Sequence, residues 1–424
     1  MGISLNNKEQ KRISKNFVSL ILLQGANFLL PLITLPYLVR VLGTEQFGLV
    51  MFAQAFALFF NVLVDFGFNL SATREISINR KNKSKISEIF SSVFIIKGAL
   101  ILFSLIIITS IILLFPQFGN NWEIYYLSFG VVIGQALFPV WYFQGVEKMS
   151  TITIVNVFAK LIFTILILLL VKSKSDYLLV PLFNSIGFII AGIIGLISAV
   201  KQINFIIPKK GVIKELFKES FQLFVSNLSV TLYTTANTII LGLFTNNTLV
   251  GVYSSMEKLV LAVKNLYSPI FQAIFPWVAS KNKNEIIRIT QKLILPLSVI
   301  GLSVSLFIFF FADFILTTIY ADELITSYSN IFRILGLIAV FSSLNMLFNM
   351  LFLSTLKKYK ERMKIIMVAG VINVTLAVIL VQYFNIYGIA ITVTFTEFLL
   401  LIFGWYYYNK IKNEETYYTP NRCA

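Results

Sequence analysis

Histidine is absent from the 424-residue sequence, and cysteine occurs once, as Cys423. Without histidine the commonest proton shuttle and metal ligand is missing, so any proton coupling falls to carboxylates. A single thiol excludes an internal disulfide or a cysteine metal cluster. No metal and no cofactor are expected. Charge is scarce as well, at 13% of residues, and lopsided, with 35 Lys and Arg against 19 Asp and Glu. No polar stretch is long enough for a folded extramembrane domain; the longest gaps between apolar runs are 69–88 and 200–219.

What remains is apolar. Hydrophobic residues make up 57% of the chain and its mean hydropathy is +0.83, too high for a soluble domain. The 41 phenylalanines suit lipid-facing helices better than barrel strands, whose lumen faces are polar. Apolar runs fall at 17–39, 47–68, 89–115, 124–146, 152–171 and 178–199, then at 220–243, 249–277, 293–318, 328–353, 363–384 and 387–409. Each is near the roughly 20 residues a helix needs to cross a bilayer. Residues 1–16 are polar and the first run is too long for a signal-peptide core, so it is expected to stay as an anchor.

Basic residues occupy alternate gaps. The intervening gaps hold only Arg40, Lys172 and Lys174, which places both termini in the cytoplasm. The net charge of +16 is thereby spread over short loops and forms no continuous face, so no nucleic-acid partner is expected. The composition predicts an all-α integral membrane protein of about 12 transmembrane helices in two six-helix bundles enclosing a central cavity. Its parts are a cytoplasmic tail (1–16), an N-terminal bundle (17–199), a basic linker (200–219), a C-terminal bundle (220–409) and a second tail (410–424).

Four runs carry a polar face. Gln24, Asn27 and Thr34 align on the first, where Pro31 and Pro36 are expected to bend the helix. Gln54, Asn61 and Asp65 align on the second, and Asn227, Thr231, Thr234 and Thr238 on the seventh. On the eighth, Tyr253, Glu257, Lys264 and Ser268 share a face beside Lys258 and Asn265. Scattered Ser and Thr suit ordinary interhelical hydrogen bonds. Three charges in one span do not: each costs about 2.5–3.5 kcal/mol near the bilayer centre unless it meets water or a partner. These four helices, the first two of each half, are therefore the expected walls of a wet cavity.

Other charges are open to two readings. Glu397 lies near the middle of the last run with no partner evident in the sequence. Lys97 and Lys160 lie about 12 Å above the cytoplasmic face, within reach of snorkelling. Arg333 and Asp313 lie near the outer boundary. Asp65 fits either an ion-coupling acid or a local salt-bridge partner.

Two segments are diagnostic. One runs from Pro36-Tyr37-Leu38-Val39-Arg40-Val41-Leu42-Gly43 through Phe47-Gly48 and Ala53-Gln54-Ala55 to Asp65-Phe66-Gly67-Phe68-Asn69-Leu70-Ser71-Ala72-Thr73-Arg74. The other is Pro139-Val140-Trp141-Tyr142-Phe143-Gln144-Gly145-Val146-Glu147-Lys148-Met149. Both resemble the O-antigen and capsular-polysaccharide flippases of the multidrug/oligosaccharidyl-lipid/polysaccharide exporter superfamily. The resemblance implies a non-enzymatic, multi-pass protein of the bacterial cytoplasmic (inner) membrane. Its cargo would be undecaprenyl-pyrophosphate-linked oligosaccharide, moved to the outer leaflet by alternating access, with membrane lipid and the polysaccharide polymerase as further partners. It places an acidic–basic pair at Glu257-Lys258.

On that footing the expected substrate-binding residues are Arg40, Lys97, Lys258, Lys264 and Arg333, with Gln24, Asn27, Gln54, Asn61, Asn227, Thr231 and Thr234. Asp65, Glu257 and Glu397 are the expected ion-coupling acids, and coupling to membrane potential, H+ or Na+ stays open. Related flippases favour cavity arginines where this chain has lysines. The competing expectations are a cation-coupled multidrug exporter on the same fold, which calls for a more acidic site, and a glycan polymerase or ligase, which calls for a large outer loop.

Overall fold

The computed structural model describes the backbone of residues 7–418, with side chains across 30–414 except 269, 272 and 273. Among the described residues every regular element is a helix. The chain divides into two compact units, Met1–Leu228 and Ser229–Ala424.

The first unit opens with α1 (Asn7–Asp65), a single helical run where the sequence suggests two spans and a loop at 40–46. The loop reduces to one residue, Gly43, at φ 75° and ψ 162°, a conformation that side-chain-bearing residues rarely adopt. Among the described residues the break inside this run falls at Gly43, and Pro31 and Pro36 lie within the helix. Phe66 and Gly67 are both left-handed and end the run, and α2 (Phe68–Ile78) then forms inside the stretch read as a cytoplasmic loop. There follow α3 (Lys83–Leu114), α4 (Pro116–Gly119), α5 (Trp122–Leu137), α6 (Val140–Gly145) and α7 (Met149–Leu170). A short 3-10 turn leads to α8 (Leu179–Val200), and α9 (Lys210–Thr234) begins in this unit.

Helix α3 shows which solvent surrounds the unit. It buries Ser91, Ser92, Lys97 and Ser104 and exposes Leu102, Phe103, Ile106 and Leu113. Apolar side chains outside and polar ones inside is the polarity of a helix bathed in hydrocarbon. Helices α5 and α8 meet through glycine. Gly130 and Gly134 lie one turn apart on α5, and a Cβ on Gly192 of α8 would sit 2.5 Å from the Gly134 carbonyl oxygen. Small residues at this spacing let two backbones touch.

The two diagnostic segments pack against each other. The Thr73 hydroxyl on α2 has the Asn69 carbonyl as its nearest acceptor at 2.8 Å and lies within hydrogen-bond reach of the Trp141 carbonyl at 3.2 Å and Gln144 Oε1 at 3.3 Å. Ser77 Oγ donates to the Gly145 carbonyl at 3.3 Å, and a Cβ at Gly145 would lie 2.6 Å from Ile76 Cγ2. Trp141, Tyr142 and Phe143 point into a core shared with Phe66, Phe68, Ile76 and Phe90. The segment around Trp141 is therefore an aromatic anchor for α2. It ends in a turn where Glu147 is left-handed, Glu147 N–H donates to the Gln144 carbonyl and Lys148 N–H donates to the Phe143 carbonyl. This is the Schellman pattern of helix termination.

The second unit contains α10 (Ala236–Phe244), α11 (Asn247–Ala279), α12 (Lys283–Tyr320), α13 (Glu323–Ser327), α14 (Ser329–Gly336) and α15 (Ile338–Asn345). A π-helical turn (Met346–Phe352) leads through α16 (Leu353–Thr355) to α17 (Tyr359–Tyr418), which breaks at Asn385 (φ 47°, ψ −129°). Its core gathers Tyr267, Phe271, Phe348, Phe352 and Tyr408. The Schellman turn recurs here: Lys357 is left-handed, Lys357 N–H donates to the Ser354 carbonyl and Lys358 N–H to the Leu353 carbonyl.

Among the described residues 8 helical stretches are long and apolar enough to cross a bilayer. Two of them, Leu30–Ile78 and Tyr359–Glu414, are 49 and 56 residues long and contain the breaks at Gly43 and Asn385. Helices α9, α10 and α11 fall outside the set. Helix α11 carries Glu257, Lys258 and Lys264, and α9 carries much of the seventh run's polar face.

Candidate functional site

Each unit contains its own charged pocket. In the first, the C-terminal turns of α1 present Asn61 and Asp65, α3 presents Lys97, α5 presents Gln135, and α7 presents Asn156 and Lys160. They surround a cavity of about 270 Å³ closed by Asn69, Phe138, Val140, Phe188 and Ala191. A neighbouring hollow of about 160 Å³ shares Asn61, Gln135 and Phe188 and adds Gln54, Ser128 and Asn184. The floor exists because α5 stops at Leu137: Pro139 offers no N–H to continue the helix, and Phe138 and Val140 turn toward the cavity across the break.

Lys97 is 4% exposed, and its Nζ lies 3.5 Å from Asp65 Oδ1. Snorkelling, which the sequence allows, therefore does not occur at Lys97. Its ammonium is turned inward to a carboxylate contributed by α1. A charge-assisted N–H···O bond has its optimum at about 2.7–2.9 Å, so the pair is loose.

The pocket of the second unit is tighter. Lys264 Nζ donates to Glu397 Oε1, Asn345 Nδ2 donates to Glu397 Oε2 at 2.9 Å, and Asn349 Nδ2 donates to Asn345 Oδ1 at 2.8 Å. The same Asn349 amide also donates to the Leu400 carbonyl at 2.8 Å. Glu397, which has no partner legible in the sequence, is thus held on both oxygens by residues from α11 and α15. Glu257 accepts from Tyr253 at 3.1 Å and lines the same hollow with Tyr233, Thr234 and Lys264. The hollow measures about 30 Å³, the share of a single water in the liquid. The π-helical turn begins at Met346, immediately after Asn345, and single π turns are frequent at functional positions.

The remaining expected residues with described side chains line neither pocket. The side chains of Gln24 and Asn27 lie outside the described residues. Arg40 is exposed three residues before the break at Gly43. Asn227 is half-buried and Thr231 buried on α9, and Lys258 is half-buried on α11. Arg333 binds Asp313 at 2.5 Å, Ser329 Oγ at 3.0 Å, Asn330 Oδ1 at 2.7 Å and the Phe309 carbonyl at 3.1 Å. Those four contacts take four of its five N–H groups, so Arg333 clasps α12 to α14.

Conversely, the structure brings in residues to which the sequence reading gives no site role: Gln135, Asn156, Lys160, Asn184, Asn345 and Asn349. The available signal is spacing. Asn156 and Lys160, and likewise Asn345 and Asn349, stand four apart along the helical path.

The first pocket yields a direct test. A Cβ at Gly195 of α8 would lie 2.0 Å from Phe138 Cδ2, so Gly195→Ala must displace a ring that lines the cavity. With Cys423→Ser as background, a cysteine introduced by Asn61→Cys should react several-fold more slowly with a charged thiol reagent when Gly195→Ala is added. An unchanged rate would show that the ring moves away from the pocket.

Residues 13–282 match the family model described as polysaccharide biosynthesis protein. Two curated relatives both carry the name "Putative O-antigen transporter". The one from Escherichia coli (strain K12) is 32% identical over 93% of this chain and 96% of its own length. The one from Shigella dysenteriae is 30% identical over 92% of this chain and 98% of its own. Among solved structures, an inward-facing multidrug resistance MATE family transporter of the MOP superfamily aligns with a TM-score of 0.64 at 14% identity, covering 91% of this chain and 96% of that one. The lipid II flippase MurJ, in an inward closed conformation, aligns with a TM-score of 0.62 at 16% identity, covering 92% and 90%. At these identities the structural likeness speaks for the fold.

Proposed function

Because this chain belongs to the polysaccharide biosynthesis protein family, we propose that it is a flippase for undecaprenyl-pyrophosphate-linked oligosaccharide repeat units. It carries them from the cytoplasmic to the outer leaflet of the bacterial inner membrane, for O-antigen or capsule synthesis. The observation that carries this reading is the near full-length similarity to relatives named for O-antigen transport. The chemistry agrees with it. Lysines meet phosphate as point charges, and amides exchange hydrogen bonds with sugar hydroxyls, inside helices whose outer faces are apolar. A site for organic cations would instead need acidic excess, and the larger pocket has two lysines to one carboxylate.

Twelve spans fit this architecture. The eight apolar stretches become ten when divided at Gly43 and Asn385, and α9–α10 and α11 supply two polar-striped spans. With the basic gaps inside, both termini are cytoplasmic and the halves run over 17–199 and 220–409. Gln54, Asn61 and Lys97 serve the cargo in the first half and Thr234 in the second, with Asp65, Glu257 and Glu397 as the ion-coupling acids. Alternating access drives the passage. A dianionic head group leaving an inside-negative cell gains about 2.3 kcal/mol per charge per 100 mV, or about 4.6 kcal/mol for two.

Deletion of the gene tests the proposal. Lipid-linked glycan should accumulate on the cytoplasmic leaflet, detected as material shielded from an external glycosidase, and plasmid-borne wild type should restore export. Normal surface glycan in the deletion strain would reject it.

A further inference from the structure

Resting on that reading, which puts 200–219 at the cytoplasmic face, we infer that the strap between α8 and α9 is a membrane-surface anchor. Phe205 and Ile207 enter the interfacial layer of the cytoplasmic leaflet, and Lys209, Lys210 and Lys214 meet anionic phospholipid head groups around them.

The motivating observation is Ile207, which is 98% exposed. It stands in 204–209, a stretch without regular structure in which Phe205 and Ile206 are exposed as well. Three consecutive exposed apolar residues in a loop are out of place in water. The local chain explains how they are presented. Ile207 precedes a proline, whose ring disfavours the helical region for it and keeps it extended. Pro208 itself is buried and pins the chain directly behind Ile207.

Helix α3 holds the strap in place. Asn204 N–H donates to Ser87 Oγ at 3.3 Å, Ile206 N–H to Ser91 Oγ at 3.0 Å, and Lys209 N–H to Glu88 Oε1 at 3.4 Å. The Phe205 ring meets Phe90 and Phe94 edge-on, with centroids 5.4 and 5.8 Å away. Backbone donors that enter a water-poor layer need partners in the protein. Three of the strap's donors already have them, and Pro208 has no N–H to satisfy. The strap is thus prepared to leave bulk water.

Continuity and charge identify the occupant as lipid. The exposed side chains of Ile193, Ile194, Ile197 and Val200 form the outer stripe of α8 and lead directly into the strap. Beyond it, Lys210, Lys214, Phe217 and Phe221 are exposed at i, i+4, i+7 and i+11, one stripe of α9. Lysines interleaved with aromatic and aliphatic side chains suit a segment lying in an anionic interface. Across 200–219 there are five lysines to two glutamates. The basic turn at 79–85 makes the contrast, because it contains no apolar residue and has nothing to insert.

The test uses the full chain with Cys423→Ser as background and a nitroxide spin label at Ile207→Cys or, as control, at Lys81→Cys. Each is placed in nanodiscs of phosphatidylcholine with or without phosphatidylglycerol. Collision with oxygen, which concentrates in the bilayer, is compared with collision with a neutral nickel chelate, which stays in water. With phosphatidylglycerol present, the oxygen-to-nickel ratio should be several-fold higher at 207 than at 81. It should fall toward the control in phosphatidylcholine alone, and likewise when Lys209→Gln, Lys210→Gln and Lys214→Gln are combined. Each lysine near an anionic surface favours the bound state about fivefold.

Equal ratios at 207 and 81 overturn the inference, as does a high ratio at 207 indifferent to phosphatidylglycerol and to the lysine variants. Protection of 207 from both reagents would mean that protein covers it, and overturns the inference too. The measurement involves no cargo, so its failure is distinguishable from failure of the transport reading. A deletion strain that accumulates lipid-linked glycan, together with a spin label at 207 that stays in water, keeps the transporter and removes the anchor.

Discussion

Glu397→Gln is expected to destabilise the second unit more than any other conservative change within it. The carboxylate is 3% exposed, and its removal leaves Lys264 facing a neutral amide in a hollow with space for about one water. Breaking a buried pair from one side costs about 3–5 kcal/mol, and Glu257, the other carboxylate lining the hollow, offsets part of that for Lys264. Replacing both members with apolar residues of similar volume is often neutral by comparison. The thermal midpoint of the purified protein should therefore fall sharply for Glu397→Gln and for Lys264→Met singly. It should recover most of the loss in Lys264→Met with Glu397→Leu. Additive losses in the double variant would mean that the two side chains do not depend on each other.

Gly134→Leu should be equally severe in the first unit, for a steric reason. A Cβ there would stand 2.4 Å from the Phe188 carbonyl carbon, and backbone cannot rotate aside as a side chain can. Overpacking ordinarily costs about 1–3 kcal/mol and more when relaxation is blocked. The bulk would pry α5 from α8, and both helices supply walls of the first pocket. The expected readout is loss of the monodisperse peak in size-exclusion chromatography of the detergent-solubilised protein. Gly25→Leu, at a position where a Cβ meets nothing within 4 Å, should leave the peak in place. A normal profile for Gly134→Leu would show that the two helices separate freely.

Much of the fold is legible in the residues because a bilayer imposes length and polarity on every span. The stripe of Gln54, Asn61 and Asp65 is visible because helical spacing is local, and all three line the pockets of the first unit. Pairings are not local. Asp65 and Lys97 stand 32 positions apart, and Lys264 and Glu397 stand 133 apart, so nothing in the spacing joins them. The roles of Lys160 and Gln135 were hidden for a related reason. Each acquires meaning only when α5 and α7 close around α1. The segment around Trp141 shows the opposite case. Its strong sequence signature marks the packing of α2 on α6, and the pocket that follows from it lies one helix break away, beyond Phe138.

The paired Schellman turns at Glu147-Lys148 and Lys357-Lys358 have a consequence for ancestry. Counting back from each lysine by the same number of residues arrives at Gln135 in one unit and Asn345 in the other. One amide borders a roomy hollow, while its counterpart props up a carboxylate in a nearly filled one. If an ancestral gene doubled, its descendants have diverged at the same address: one copy stayed hospitable to a guest, and the other sealed its chamber with a cross-brace.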